Sequence, residues 1–335
     1  MKIIKYIICV FLVLGCSNES SLKLNGNLQP LYTFANGTDD YLVNPIGFVS
    51  NGEDLIYVSD NIPSQIKKYS KDGELLEIFG RRGKGPGEFN YPGGLAYFDN
   101  SIFVEDRGNL RFKILTENGE TNEIYKILNP FVDFTVNENL VYTFSPPSFF
   151  LTKNLQERDL ITVYNRNGNI SNSFGDFITY SEKIPAGMSW PFLQFSNHRL
   201  HSVFQYFPLY RIYTAEGELV KEFDLSTYVQ KDVLKNFDEE TYLDPTSPSM
   251  EVVFRAFYVS DNGVYIAHQS ENIQIDKFIL REDELEYQNT YYYSTNENMT
   301  VVEDFFYHQE SDTFFILEYN GQAHQITRYE IVQSK

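Results

Sequence analysis

Cysteine is nearly absent from this 335-residue chain: Cys9 and Cys16 are the only two, both within the first sixteen positions. A disulfide framework, a thiolate metal site and a cysteine nucleophile are therefore excluded from everything downstream. Positive charge is scarce as well. Lys and Arg number 27 against 46 Asp and Glu, a formal charge of −19, and a field of that sign repels nucleic acid and anionic lipid surfaces. It is compatible with neutral ligands, cations or basic partners without choosing among them, and it also serves solubility alone. No apolar run reaches the length of a membrane-spanning helix. There is no P-loop, dinucleotide fingerprint, zincin helix or serine-nucleophile elbow. Histidine is limited to His198, His201, His268, His308 and His324. His198 and His201 stand three apart, so on one strand they face opposite ways and cannot chelate together; a preformed three-histidine zinc site is not expected. Paired carboxylates such as Glu239 and Glu240 are too numerous to single out a hydrolytic pair.

What the chain has in quantity is aromatic side chains, 28 Phe and 25 Tyr, set among β-branched residues in short runs that fit strands better than helices. Two segments read alike: PIGFVSNGEDLIYVSDNIPSQIKKYSKDGELLEIFG (Pro45 to Gly80) and PGGLAYFDNSIFVEDRGNLRFKILTENGETNEIY (Pro92 to Tyr125). Each runs from Pro through an apolar strand, a polar turn, a strand ending in Asp, a loop, a third strand, a Gly-containing turn and a last strand. Pro45 and Pro92 are 47 residues apart, and a repeat of this length built from four short strands is the signature of a β-propeller blade.

The rhythm continues more loosely, with further units starting near Pro130, Pro191, Met250 and Thr300, and the last stops one strand short. LQPLYTFA (Leu28 to Ala35) precedes the first full unit and has no partners there. It is expected to complete the last unit, closing the ring and removing open sheet edges. The expectation is an all-β, six-bladed β-propeller of four-stranded antiparallel blades over residues 28–335, with five or seven blades as alternatives. One helical piece is expected, Ser226 to Glu240.

Residues 1–15 lie outside that domain. Lys2 and Lys5 precede an apolar run from Ile7 to Leu14, the layout of a secretory signal; its removal would leave 25 basic against 46 acidic side chains. LVLGC resembles a bacterial lipobox, in which the signal is cut before the Cys and that Cys is lipidated. The resemblance implies a lipid anchor at Cys16, the only contact with the membrane, and a place in the cell envelope at the outer membrane. Residues 16–27 read as a flexible tether. The other reading is an ordinary signal with a chance Cys.

In a propeller, the ends of second strands and the loops linking fourth to first strands open on one face. Asp60, Asp106, Ser145, Gln205, His268 and Glu318 align as ends of second strands, one per blade. Of these, Asp60, Asp106, Gln205, His268 and Glu318 are candidates for a divalent cation or a polar ligand at the channel mouth. Asp60 and Asp106 could instead bond backbone amides in the turn that follows. Arg81, Arg82 and Lys84, set among Gly80, Gly83, Gly85 and Gly87, form the one basic cluster. It could hold an anion on exposed amides, or merely thread from blade one to blade two and leave Arg81 and Arg82 on the rim of a site centred elsewhere. Long insertions at Ser145 to Arg158, Gly175 to Trp190 and Asp224 to Ser249 are expected to rise from this same face. They carry Phe149, Phe150, Tyr180, Trp190, Tyr228, Phe237 and Tyr242. Together with Tyr206, Phe207 and Tyr210 these offer aromatic surface beside carboxylates and amides, which suits a sugar or peptide; the alternative is that they pack the loops onto the ring.

The runs GKGPGEFNYP, YVSDN and FVEDRGN resemble NHL repeats over about residues 45–125. With the lipobox, the whole chain resembles the six-bladed propeller lipoproteins of Bacteroidota. Some NHL-type propellers are binding proteins and others are enzymes, among them peptidyl-amidating lyases, so the resemblance implies a fold more than a function. The leading expectation is a non-catalytic binder of a ligand or envelope protein through the long-loop face. A metal-assisted lyase or hydrolase at the channel mouth is the first alternative, and a structural envelope scaffold the second.

Overall fold

The computed structural model describes residues 24–127, 131–146, 158–178, 189–229, 252–281, 284–294 and 300–333. Their regular elements are β-strands and short 3-10 turns, and none of their helices is long and apolar enough to cross a membrane. Four successive groups form separate four-stranded antiparallel sheets: β2 (Pro45–Ser50) to β5 (Leu75–Phe79), β6 (Pro92–Phe98) to β9 (Thr121–Lys126), β10 (Asp133–Val136) to β13 (Ile170–Phe174), and β14 (Pro191–Ser196) to β17 (Leu219–Asp224). The remaining strands are β1 (Leu24–Phe34), β18 (Phe254–Ser260), β19 (Gly263–His268), β20 (Ile273–Arg281), β21 (Glu284–Tyr293), β22 (Val301–His308), β23 (Thr313–Tyr319) and β24 (His324–Gln333). They make one eight-stranded sheet in the order β18-β19-β20-β21-β1-β24-β23-β22. First strands lie side by side around a centre: β2 against β6, β6 against β10, β10 against β14, β14 against β18, β18 against β22, and β22 back against β2. This is a β-propeller-like arrangement, with sheets set radially about a channel.

The sequence rhythm predicts separate four-stranded blades throughout, and the eight-stranded sheet departs from it. The start of β1 pairs in parallel with β21, Leu24 opposite Thr290 and Asn27 opposite Tyr292. The strand also runs antiparallel along β24, from Gly26 opposite Gln333 to Phe34 opposite Ile326. The strand expected from Leu28 thus begins four residues earlier, at Leu24, and its added length satisfies backbone groups of β21 that would otherwise form an open edge.

Gly-containing turns explain both the hairpins and the packing between sheets. Gly73, Gly119, Gly168 and Gly217 each donate their N–H to the carbonyl three residues before, on Ser70, Thr116, Asn165 and Thr214. Their φ values lie between +75° and +99°, the left-handed conformation that closes three-residue hairpin loops. The neighbours demand glycine too. A Cβ on Gly119 would overlap the ring of Phe79, one on Gly217 that of Phe174, and one on Gly73 that of Phe34. The aromatic ending the fourth strand of one sheet therefore seats on the turn of the next sheet. Through Phe34, β1 does the same to the first sheet and so links the two ends of the chain.

Inner strands are buried on both faces and outer ones on one: β3 (Leu55–Asp60) is enclosed from Ile56 onward, whereas β5 exposes Leu76, Glu77 and Ile78. Aromatic pairs fill the wedges, among them Phe34 with Tyr69, Phe48 with Phe306 and Tyr265 with Tyr307. Of the helical piece expected over Ser226 to Glu240, the described part is a single 3-10 turn, Ser226–Tyr228, followed by Val229 in extended backbone, and residues 230–240 lie outside the described residues.

Candidate functional site

The Gly-rich crossing between β5 and β6 carries its own anion. The Glu88 carboxylate accepts hydrogen bonds from the amides of Gly85 and Lys84 and from Arg81. Those partners hold its carboxyl below the usual range. Side chains on β8 (Arg111–Thr116) pin the loop from below: Arg111 donates to the carbonyls of Lys84, Gly85 and Glu88, and Lys113 to those of Pro86 and Glu88. The anion-cradle reading is thereby corrected, because the amides that would face a ligand are already capped.

Asp60, Asp106 and His268 end their strands as expected, Gln205 lies one residue past its strand Arg199–Phe204 and Glu318 one residue before the end of β23. These side chains do different work. Asp60 is fully buried, accepts from the amides of Val43 and Asn44, and pairs with Lys67 at 3.1 Å. Asp106, which ends β7 (Ser101–Asp106), accepts from the Asn90 amide at 2.7 Å, from the Asn109 side chain at 2.8 Å and from Arg111 at 2.6 Å. Asp106 thus bonds the turn that follows it, through the Asn109 side chain rather than a backbone amide. Asp60 and Asp106 each hold backbone leading into the first strand of their own sheet. The antiparallel register dictates this, since it sets Asp60 opposite Pro45 and Asp106 opposite Pro92. His268 bonds Asp276 at 2.8 Å, and Asp276 also accepts from Thr290. Glu318 accepts from Gln325, Thr327 and Tyr329, and burial raises its pKa. Gln205 bonds Val253 and Phe254 through its backbone carbonyl and borders the channel. These donors are engaged locally and do not converge. Among the described residues, no three His, Cys, Asp or Glu side chains are placed to hold a metal ion.

Of the aromatic candidates, Tyr210 is corrected outright. It is fully buried, its ring stacks on Phe223 and its hydroxyl meets His201 at 2.6 Å. Tyr228 likewise packs, on Phe278 and Tyr287. Trp190 and Tyr206 are half-buried and meet edge to face at 6.2 Å. Cys16, Phe149, Phe150, Tyr180, Phe237 and Tyr242 lie outside the described residues.

What the ring encloses is a central cavity of about 690 Å3, lined by residues from the first strand of every sheet and from both ends of the eight-stranded one. Several first strands begin with a bulge. Register breaks occur between Pro45 and Gly47, Pro92 and Leu95, Phe254 and Ala256, and Val302 and Asp304. A bulge gives its extra residue no opposite number and re-aims its side chain. In β18 the extra residue is Arg255 and in neighbouring β22 it is Glu303. Both line the cavity with Trp190 and Gln205, and the two opposite charges attract. Glu303 also bonds His324 at 2.8 Å, while Arg255 donates to Gln269. Sequence reasoning missed this pair. Its only signal was charge inside otherwise apolar first strands, a single Arg in VVFRAFYV and the Glu-Asp pair in VVEDFFYH.

Two further lumen carboxyls are held near neutrality. Burial pushes Asp133 up to about 7. It pushes Asp304 up to about 8, helped by the negative charges of Asp133 and Glu303. A carboxyl whose pKa rises on folding stabilises the native state only while protonated there, so its contribution is present in acid and lost as pH climbs from about 4 through 7 and 8. Stability is expected to fall between pH 5 and 8.5, by at most about 1.4 kcal/mol per pH unit per group. Asp304→Asn retains an oxygen for the Phe305 amide that Asp304 now caps and should flatten the trend. Thermal melts at both pH values check this, and an unchanged slope in the variant would count against it.

No protein-family model matches the chain, and no curated protein matches it. Solved structures do share its fold. A member of the DUF4221 family from Bacteroides vulgatus superposes with a TM-score of 0.65 at 10% identity, covering 92% of this chain and 99% of that one. A protein assigned as exported from Bacteroides fragilis gives 0.58 at 13% identity, over 93% and 98%. A catalytically inactive virginiamycin B lyase from Staphylococcus aureus, with quinupristin, gives 0.51 at 14% identity, over 86% and 80%. At such identities the likeness concerns the fold and transfers no activity.

Proposed function

We propose that this chain is a six-bladed propeller that binds an amphipathic ligand at its channel mouth and performs no chemistry. The count takes the eight-stranded sheet as two blades joined edge to edge by β21 and β1. Export and lipidation at Cys16 belong to the same reading and would hold the domain on the cell envelope. The observation that carries it is the pair of bulges that turn Arg255 and Glu303 into a cavity of about 690 Å3 beside Trp190 and Gln205. Opposite charges next to aromatic faces suit a sugar or a short peptide, whose polar edge meets the charges while its apolar face lies on the rings. Binding is favoured over hydrolysis or elimination because, among the described residues, His268, Asp60, Asp106 and Glu318 are each tied to local partners, and the lumen carboxyls Asp133 and Asp304 cap the amides of Leu193 and Phe305.

An array of glycans and short peptides probed with the full chain tests this. Hits should weaken at least tenfold, about 1.4 kcal/mol, in Arg255→Ala, with a parallel loss in Glu303→Gln. Hits that ignore both substitutions would move the site elsewhere, and cleavage of a bound compound would make the protein an enzyme.

A further inference from the structure

Tyr41, Val43, Ile46, Ile62, Tyr91 and Leu110 stand exposed on the face where the first strands begin, around blades one and two. Hydrogen bonds join their loops into one surface: Asn61 to the carbonyls of Asn44 and Pro92, Arg82 to that of Ile62, and Gly108 to that of Asn90. Other exposed large apolar residues, such as Leu76 with Ile78, Ile124 and Ile170, are scattered singly or in a pair on outer strands, which is ordinary.

Two members of the patch are held in left-handed backbone, Tyr91 at φ +52° and Leu110 at φ +51°. Bulky side chains resist that region, whereas glycine occupies it freely. The turn uses the conformation at Leu110, whose N–H bonds the Arg107 carbonyl and whose carbonyl takes the Ile127 amide. Burial does not explain the side chains, since Tyr91 is 41% exposed and Leu110 49%. Strain kept for an exposed apolar side chain points to a task outside folding.

Charge supplies the rest. Asp60, Glu88, Glu105 and Asp106 are each paired with a cation. Arg82 lies 4.5 Å over the Tyr91 ring and bonds only the Ile62 carbonyl. Neither it nor Lys84 pairs with a carboxylate among the described residues. At the Tyr41 end the patch borders Asp39 and Asp40, but its Ile62–Tyr91–Leu110 end is edged by the cations Arg82 and Lys84, on a chain with a net charge of −19.

We propose that this surface docks an acidic, apolar segment of a partner protein. Its carboxylates meet Arg82 and Lys84, and its aromatic or aliphatic side chains lie across Ile62, Tyr91 and Leu110. Guanidinium over an aromatic ring is an arrangement that accepts a carboxylate and an apolar neighbour together. The patch shares a face with the channel mouth, and Ile46 belongs to both, but Ile62, Arg82, Lys84, Tyr91 and Leu110 stand outside the cavity lining, so the docking surface stands whether or not that mouth takes a ligand.

Panning a random peptide display library on the full chain should enrich sequences that combine Asp or Glu with aromatic or aliphatic residues, and their affinity should fall with salt. Arg82→Glu should weaken them at least about tenfold. Leu110→Gly should do the same while leaving the thermal midpoint unchanged or higher, because glycine adopts that φ without strain. Arg255→Ala should have no effect on these peptides. Enrichment of neutral or basic sequences overturns the proposal, as does equal binding by Leu110→Gly. A lowered midpoint in Leu110→Gly would make Leu110 a folding residue instead. Concentration-dependent self-association abolished by Leu110→Gly would give the surface to a second copy of this chain.

Discussion

A chain lacking Leu24–Phe34 should show no cooperative unfolding transition, and it should aggregate at concentrations where the full chain stays soluble. Strand β1 is outermost, yet it connects three parts of the ring. It hydrogen-bonds β24 along almost its whole length and β21 at its start. Its last residue, Phe34, packs 5.4 Å from Tyr69 and on Gly73 of the first blade. Tyr32 donates to the Lys71 carbonyl in that same blade, and Thr33 meets Thr327 at 2.9 Å. Removing the strand leaves bare edges on β21 and β24 and uncovers one wedge of the core. Bare edges are templates for pairing with other chains. Circular dichroism melts with light scattering would measure the effect, and a synthetic peptide spanning Leu24–Phe34 should restore the transition. Cooperative melting at the full-chain midpoint without β1 would mean that the ring closes through side-chain packing alone.

Arg111→Ala should lower stability by about 3 to 5 kcal/mol, the range for leaving one member of a buried ion pair uncompensated. For a chain of this size that is roughly 10 °C in thermal midpoint. The physical cause is local. Asp106 has no solvent exposure and meets the Arg111 guanidinium at 2.6 Å, so truncation strands a buried carboxylate. The same guanidinium also binds three carbonyls of the crossing loop, which would lose their donor together. Arg81→Ala is the fitting control. Arg81 is 82% exposed and pairs with Glu88, and solvated pairs of this kind contribute about 0 to 1 kcal/mol. Equal shifts for the two variants would show that the buried clasp contributes no more than a surface pair.

Features fixed by local chemistry were legible in the sequence. The pairs Asp72-Gly73, Asn118-Gly119, Asn167-Gly168 and Glu216-Gly217 announce hairpins because the left-handed turn excludes most other residues. Second-strand ends at Asp60, Asp106 and His268 follow from the same spacing. What those side chains hold was not legible. Val43 and Asn44 come within reach of Asp60 only after β2 and β3 have paired. Tyr206 and Tyr210 are four residues apart in one aromatic run, yet Tyr206 falls in the bend before the strand Leu209–Thr214 and packs half-buried on Trp190, whereas Tyr210 falls on that strand and is fully buried. The bulges at Arg255 and Glu303 are mismatches between two strands, so neither strand alone reveals them. The parallel seam between β1 and β21 adds no turn and no change in the repeat rhythm, and nothing in the strand pattern marks it.

That seam also determines how the domain bears load. A chain tethered through residues before Leu24 transmits any pull to the first residue of β1, along the axis of the strand. There it is gripped on both sides, by β21 in parallel and by β24 in antiparallel register. Tension in that direction slides the strand past its neighbours and loads the hydrogen bonds together in shear, whereas a pull across the sheet would part them one after another. An anchor at Cys16, as proposed above, would thus pull on the ring where β1 is hydrogen-bonded along both of its edges.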